Sequence, residues 1–173
     1  VEGILRTVSL STTASYELLT IPMFILMAEF IIVSRIANEL FDSAKTWVGR
    51  TPAGLAISTA LAGAGFGAIS GSSTASAATL SATTIPAMLE NNYNPRFASG
   101  VVAISGPLAM LIPPSIALIL YGLIADISIG KLLIAGIVPG ILVTCVIILT
   151  SVALVTVFPN LAPPGRAYSM GEK

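Results

Sequence analysis

The 173-residue sequence is 55% hydrophobic and only 9% charged, with eight Lys/Arg balancing eight Asp/Glu. Soluble domains average about 25% charged residues, so this composition argues against a soluble globular domain, a disordered chain and a nucleic-acid-binding protein. Histidine is absent and Cys145 is the only cysteine. These two counts argue against a disulfide framework, Ser–His catalysis and the usual zinc sites. Because the first residue is Val1, we expect the chain to be a piece of a longer protein.

Three long segments carry no charged residue: 51–89, 97–125 and 132–165. About 20 apolar residues are enough to cross a bilayer as a helix, so each segment is a candidate for membrane insertion. A shorter apolar stretch, 18–34, precedes them and is predicted to be a further membrane helix. It contains Glu29, which is costly in lipid unless the carboxylate lies near the interface or faces protein or water.

The remaining parts of the chain are assigned from periodicity and turn signals. Residues 35–50 place apolar side chains at helical spacing opposite charged ones, which predicts an amphipathic arm helix at the membrane surface; a plain linker helix is the alternative. Segment 129–158 is predicted to be the last membrane helix, with Ser128 as its N-cap. The proline-rich end, 159–173, is predicted to be a flexible tail.

Segment 52–89 is predicted to be a helical hairpin. From Ala53 to Thr84, 26 of 32 residues are Gly, Ala, Ser or Thr, which favours close packing against protein over exposure to lipid. A straight helix of 39 residues would be about 58 Å long, and the hydrocarbon core is roughly 30 Å thick, so the chain must turn back. Thr51 is expected to cap the first leg, and the turn is expected at 70–74, where the pattern is Ser-Gly-Ser-Ser-Thr. Length does not distinguish legs that cross fully from legs that stop midway.

The expected turn has a chemical consequence. Non-helical backbone at membrane depth must be buried in protein or line a wet cavity, where bare carbonyl and hydroxyl oxygens suit a hard cation such as Na⁺. A helix that starts just after the turn would direct its positive end at an anion. The alternative is a tight helix–helix turn in a packed bundle. Glycine and serine content alone favours neither.

Segment 95–125 is predicted to be a broken membrane helix that begins at Asn94-Pro95. Prolines at Gly106-Pro107 and at 112–115, where the sequence reads Ile-Pro-Pro-Ser, remove backbone donors and clash with the preceding turn. Discontinuous helices of this kind mark midplane binding sites in secondary transporters. A plain proline kink is the alternative, although two breaks beside a Ser/Gly hairpin favour the binding site.

Several stretches together resemble the DctM family, the large membrane subunit of tripartite ATP-independent periplasmic (TRAP) transporters. The resemblance covers roughly 18–142 and is most specific at the Ser-Gly-Ser-Ser turn and the Ile-Pro-Pro-Ser break. The matching stretches are 21–26, 66–75, 85–88, 93–98, 111–115 and 121–132.

This resemblance implies an all-α membrane protein that is half of an inverted-repeat, elevator-type transporter. Its elements would be an amphipathic arm helix, a re-entrant helical hairpin and a discontinuous helix. The implied activity is Na⁺-coupled uptake of an organic acid, C4-dicarboxylate-like or a sugar acid, across the bacterial inner membrane. The implied partners are a periplasmic substrate-binding protein and a small membrane subunit, with Na⁺ as coupling ion, no other cofactor and no nucleic acid. Charge asymmetry separately predicts a cytoplasmic arm helix and tail.

Site residues follow from the resemblance position by position. Substrate-binding candidates are Ser72, Ser73, Thr74, Pro114 and Ser115. Na⁺ candidates are Ser70, Gly71, Ser72, Gly106, Ile112 and Pro113. One position departs from the family, because Pro107 stands where Thr or Ser is usual, which removes a hydroxyl and a backbone donor beside Gly106.

Two other function classes are alternatives to a transporter subunit. An intramembrane serine protease would use Ser70, Ser72 or Ser73, but the sequence has no histidine base, and nothing places Lys131 near these serines. A channel or a purely structural module is the third possibility, because channels also use broken helices. The sequence therefore favours a transporter subunit over an enzyme.

Overall fold

The computed structural model describes residues 16–34, 36–49, 51 and 53–163. Within these ranges the chain is helical and has no β-strand, which confirms the all-α class. The helices are α1 (Tyr16–Val33), α2 (Ile36–Val48), α3 (Gly54–Ser70), α4 (Ser73–Glu90), α5 (Pro95–Ser105), α6 (Leu108–Leu111), α7 (Ile116–Ile124) and α8 (Ile129–Val157), followed by a 3-10 turn (Pro159–Leu161).

Helix α2 corresponds to the predicted arm helix. It buries Ala37 and Phe41 and leaves Glu39, Asp42 and Trp47 exposed. A side-chain hydrogen bond also joins it to the hairpin, because Thr83 Oγ1 donates to Asn38 Oδ1 at 2.8 Å. The predicted range 35–50 includes two arginines at its ends that lie outside the described residues.

Helix α3 is the central element of the described chain, in contact with α1, α2, α4, α5, α6 and α8. Its small residues permit this packing. A Cβ atom on Gly63 would lie 3.1 Å from the Ser105 carbonyl oxygen, and one on Gly67 would lie 2.7 Å from Ala109 Cα. The glycines therefore bring α3 into backbone contact with the broken helix, as small-residue interfaces do in membranes.

The start of α3 differs from the sequence prediction. Thr51 is not its N-cap, because the Thr51 hydroxyl donates to the Val48 carbonyl at 2.6 Å. The helix begins at Gly54 after Ala53, which has a left-handed backbone (φ 62°) and makes no side-chain cap. A long-range contact satisfies one free backbone donor instead, since Leu55 N–H donates to the Tyr93 hydroxyl at 3.3 Å. Pro52, the predicted first residue of the hairpin, lies outside the described residues.

The predicted cap at Asn94-Pro95 is confirmed. Pro95 is the first residue of α5, and Asn94 Oδ1 accepts from Arg96 N–H at 2.9 Å. The Asn94 N–H in turn donates to the Leu161 carbonyl at 2.9 Å. This bond corrects the prediction for 159–173: the segment starts as an ordered turn, with Ala162 buried in the main core. Residues 164–173 lie outside the described part.

Two of the charge-free segments, 97–125 and 132–165, contain helices that are apolar and long enough to cross a bilayer. Among the described helices, α8 alone meets that requirement by length and composition, and α5–α7 meets it if the bent pair counts as one span. The axis bends by 43° between 95–111 and 116–124. Ser128 is the N-cap residue of α8, but its side chain makes no cap hydrogen bond.

Candidate functional site

The hairpin turns within two residues. Helix α3 ends at Ser70, and Gly71 adopts a left-handed backbone (φ 61°), with its N–H donating to the Gly67 carbonyl at 3.0 Å. Glycine is suited to this position because it lacks the Cβ that a left-handed backbone crowds. Ser72 is extended and caps α4, its Oγ accepting from Ala75 N–H at 3.4 Å.

The break in segment 95–125 resembles the hairpin turn, because a serine caps the helix that follows it. Pro113 and Pro114 separate α6 from α7, and the peptide bond between them is cis. Ser115 is extended and fully buried, and its Oγ accepts from Leu118 N–H at 3.3 Å. Ser72 therefore caps the N-terminus of α4, and Ser115 caps the N-terminus of α7 in the same way.

The hairpin turn and the proline break contact each other through backbone atoms. The Gly71 carbonyl accepts from Ile116 N–H at 3.3 Å. A Cβ on Gly71 would lie 2.5 Å from the Pro114 carbonyl oxygen. The N-termini of α4 and α7 are therefore brought together at one place.

A cavity of about 230 Å³ lies at this junction, and we call it the tip cavity. Its lining surface is mainly apolar, and its hydroxyl-bearing residues come from the start of α4, where Ser72 Oγ and Thr74 Oγ1 lie 3.1 Å apart. Its lining residues are Gly71, Ser72, Ser73, Thr74, Met110, Ile116, Ala117 and Leu120. None of these residues is charged, so a ligand in the tip cavity meets only neutral groups and helix dipoles from its lining.

The structure brings some of the predicted site residues together. Of the substrate candidates, Ser72, Ser73 and Thr74 line the tip cavity, Pro114 lies against Gly71, and Ser115 is buried beneath as a cap. Of the Na⁺ candidates, Gly71 and Ser72 line the cavity. Pro113 is half-buried within the break.

Ser70 precedes the turn and is 2% exposed. Its Oγ has no hydrogen-bond partner within the described part of the chain. A buried hydroxyl without a partner costs about 1–3 kcal/mol. The Ser76 and Ser105 hydroxyls also lack a partner in the described part of the chain, and of the three only that of Ser70 directly precedes Gly71.

Two Na⁺ candidates contact other elements. A Cβ on Gly106 would lie 2.9 Å from Ala77 Cβ, so Gly106 is a packing contact between α5 and α4. Ile112 lies against Gly140 of α8, with its Cγ1 2.7 Å from where a Cβ of Gly140 would be. Neither residue lines the tip cavity.

Sequence reasoning missed several residues at this site. Met110, Ile116, Ala117 and Leu120 form the apolar side of the tip cavity, and no motif distinguishes them from other apolar residues. Gly136 and Gly140 touch the break from α8. Small residues four apart are typical of close contacts between membrane helices, so this signal was readable in the sequence.

Comparison with known proteins identifies a family and relatives of this chain. The family model described as "Tripartite ATP-independent periplasmic transporter, DctM component" matches residues 1–167. The chain is 42% identical over 131 residues to the C4-dicarboxylate TRAP transporter large permease protein DctM of Pseudomonas aeruginosa, covering 76% of this chain and 31% of that protein. It is 40% identical over 127 residues to the ectoine TRAP transporter large permease protein TeaC of Halomonas elongata, covering 73% and 30%.

A third relative carries another substrate name. The chain is 36% identical over 136 residues to the 2,3-diketo-L-gulonate TRAP transporter large permease protein YiaN of Escherichia coli, covering 79% of this chain and 32% of that protein. The chain thus spans about a third of the length of these curated relatives.

The helical fold and these relatives place the chain in a class of membrane permease components, and because the relatives are permease subunits, the prediction that the chain is not an enzyme is confirmed. The chain belongs to the DctM family, the large permease component of TRAP transporters. The predicted resemblance to this family is therefore confirmed.

Proposed function

We propose that this chain supplies one cation and substrate site of a Na⁺-coupled permease for an organic acid. The observation that carries the proposal is the convergence of two capped helix N-termini and a backbone turn on one uncharged cavity. Positive helix ends favour an anion, and bare oxygens of an irregular backbone favour Na⁺.

The cation would bind at the turn. Three features support this position: the unpartnered Ser70 hydroxyl, the carbonyls released where α3 ends, and the Pro114 carbonyl close to Gly71. All are neutral oxygens, which hard cations accept as ligands. A Na⁺ ion held by neutral ligands keeps its full charge and so favours an anion beside it. Gly106 and Ile112 take no part in this proposal, since their contacts lie elsewhere.

The substrate would bind in the tip cavity. Its carboxylate would face Ser72, Ser73 and Thr74 at the start of α4, near the start of α7, while the apolar side would contact the carbon skeleton. The proposed substrate class is a C4-dicarboxylate-like acid or a sugar acid. Relatives named for C4-dicarboxylate and for 2,3-diketo-L-gulonate support this choice.

The proposed setting is a multi-pass permease in the bacterial inner membrane, with the arm helix and tail cytoplasmic. This chain would be one of two inverted repeats in an elevator-type transporter. A periplasmic binding protein would deliver the substrate, and a small membrane subunit would complete the permease. The family supports this assembly, since its name refers to a tripartite periplasmic transporter.

Uptake of labelled acid into proteoliposomes tests the coupling. The permease containing this sequence is reconstituted with its small subunit, and substrate-loaded binding protein is added outside. Uptake is expected to require an inward Na⁺ gradient and to stop when K⁺ replaces Na⁺. Undiminished uptake without Na⁺ would reject the coupling, and ohmic single-channel currents would reject a transporter.

Replacing Ser70 with alanine tests the cation ligand. We expect the Na⁺ concentration for half-maximal uptake to rise about tenfold or more, because a polar contact to a charged group contributes roughly 1.5–3 kcal/mol and a tenfold change is about 1.4 kcal/mol. Thermal stability without Na⁺ should not fall, since the variant removes an unpaired buried hydroxyl. Ser81→Ala on α4 is the control, because Ser81 is exposed and bonds its own helix. An unchanged Na⁺ requirement in Ser70→Ala would contradict the assignment.

A further inference from the structure

Helix α8 lies directly on the proline break. A Cβ on Gly136 would be 2.7 Å from the Leu111 carbonyl oxygen, and a Cβ on Gly140 would be 2.7 Å from Ile112 Cγ1. Real Cβ contacts are ordinary only at 3.4–4 Å. At Gly136, therefore, α8 approaches the backbone of the break more closely than a residue with a side chain would allow, and at Gly140 an added Cβ would displace the Ile112 side chain.

The break is thereby held from two sides. Leu111 and Ile112 lie against α8, and two residues later the Pro114 carbonyl lies against Gly71 of the hairpin turn. Only Pro113 separates the parts held by the two surfaces. A shift of Leu111–Ile112 away from α8 must therefore be absorbed in the prolines or passed on to the tip cavity.

We infer that Gly136 and Gly140 are positioning residues for the tip cavity: they set where the break sits and thereby where the Pro114 carbonyl and the start of α7 face the hairpin turn. The inference rests on the proposed function, because its test measures the substrate and Na⁺ concentrations that give half-maximal uptake. Neither glycine lines the tip cavity, so neither would contact the proposed substrate.

The glycines on α8 are not equivalent, which supplies a matched control. Gly130 lies on the same helix, is exposed, and a Cβ there would meet no atom of the described chain within 4 Å. Gly136 faces the Leu111 carbonyl oxygen, which no substitution removes. Gly140 faces the side chain of Ile112, which a substitution can shorten. Trimming that side chain leaves Ile112 Cα and N at 3.5 Å, an ordinary contact distance.

The test uses the reconstituted permease with its partners and compares Gly136→Ala, Gly140→Ala and Gly130→Ala. We expect half-saturating concentrations of substrate and Na⁺ to rise about tenfold in the first two variants, since displacements near 1 Å are enough to impair a bound geometry. Gly130→Ala should match the wild type. The double variant Gly140→Ala/Ile112→Ala should return toward wild-type half-saturation.

The outcomes separate the two proposals. A fall in the amount of folded permease and in maximal rate, with unchanged half-saturation, would make these glycines packing residues and overturn the inference. Failure of Ile112→Ala to restore half-saturation in Gly140→Ala would overturn it as well. If wild-type uptake needs no Na⁺, the coupling proposal fails, and the substrate half-saturation alone then decides the positioning role.

Discussion

Replacing Gly71 with alanine is expected to destabilise the permease by about 2–5 kcal/mol and to abolish uptake. A left-handed backbone costs a non-glycine residue about 1–2 kcal/mol, and Gly71 has φ 61°. The added Cβ would also lie 2.5 Å from the Pro114 carbonyl oxygen, and such overpacking costs roughly 1–3 kcal/mol. The substitution therefore pushes the hairpin turn away from the break at the point where the tip cavity is built.

Thermal unfolding of the purified permease in detergent, together with uptake, measures this effect. Gly100→Ala is the control, because Gly100 is an exposed helical residue whose Cβ would meet no described atom within 4 Å. There alanine should raise stability by about 0.5–1 kcal/mol through helix propensity. Similar stability changes at both positions would show that the turn does not require glycine.

Replacing Gly67 with alanine is expected to cost about 1–3 kcal/mol and to lower uptake strongly. Its Cβ would lie 2.7 Å from Ala109 Cα and 3.0 Å from Ala109 N. Because both are backbone atoms, no side-chain rotation relieves the clash, and α6 must move. Helix α6 leads directly into the proline break, so the displacement reaches the tip cavity.

Gly65→Ala is a control on the same helix. A Cβ on Gly65 would lie 3.5 Å from both Leu40 methyl carbons, which is ordinary contact. Alanine at this position should leave stability unchanged or raise it by up to about 1 kcal/mol. Equal melting temperatures for Gly67→Ala and Gly65→Ala would contradict the direct contact of α3 with α6.

Much of the fold could be predicted from the sequence because the bilayer limits how long a charge-free helix can be. Segment 51–89 is too long for one crossing, and its glycines and serines indicate the turn at Gly71 and Ser72. The adjacent prolines 113 and 114 remove two backbone donors in succession and clash with the preceding turn, whereas the single prolines Pro22, Pro86 and Pro139 lie inside continuous helices. Asn94-Pro95 predicts the start of α5 because that cap is made by neighbouring residues in the chain.

The remaining features depend on contacts between distant residues. Thr51 resembles a cap, but its hydroxyl bonds to the preceding helix, and Tyr93 serves the start of α3 instead. The proline-rich end reads as a loose tail, yet Leu161 accepts a hydrogen bond from Asn94. Local sequence carries no information on such partners.

The candidate site also has one part that local sequence predicts and another that depends on contacts between distant residues. Residues 71–74 are adjacent in the chain, so the turn that presents them was predictable. The direction each break residue faces was not, because it is set by the helix packed on it: Gly106 meets Ala77 of α4, and Ile112 meets Gly140 of α8.

The hydrogen bond between the Gly71 carbonyl and Ile116 N–H uses main-chain atoms only. Substitutions at Ser72, Ser73, Thr74 or Ala117 change the chemistry of the wall without removing a partner from that bond. If the tip cavity binds the substrate as proposed, exchanges of these small side chains would change which molecule it accepts while the backbone hydrogen bond is kept.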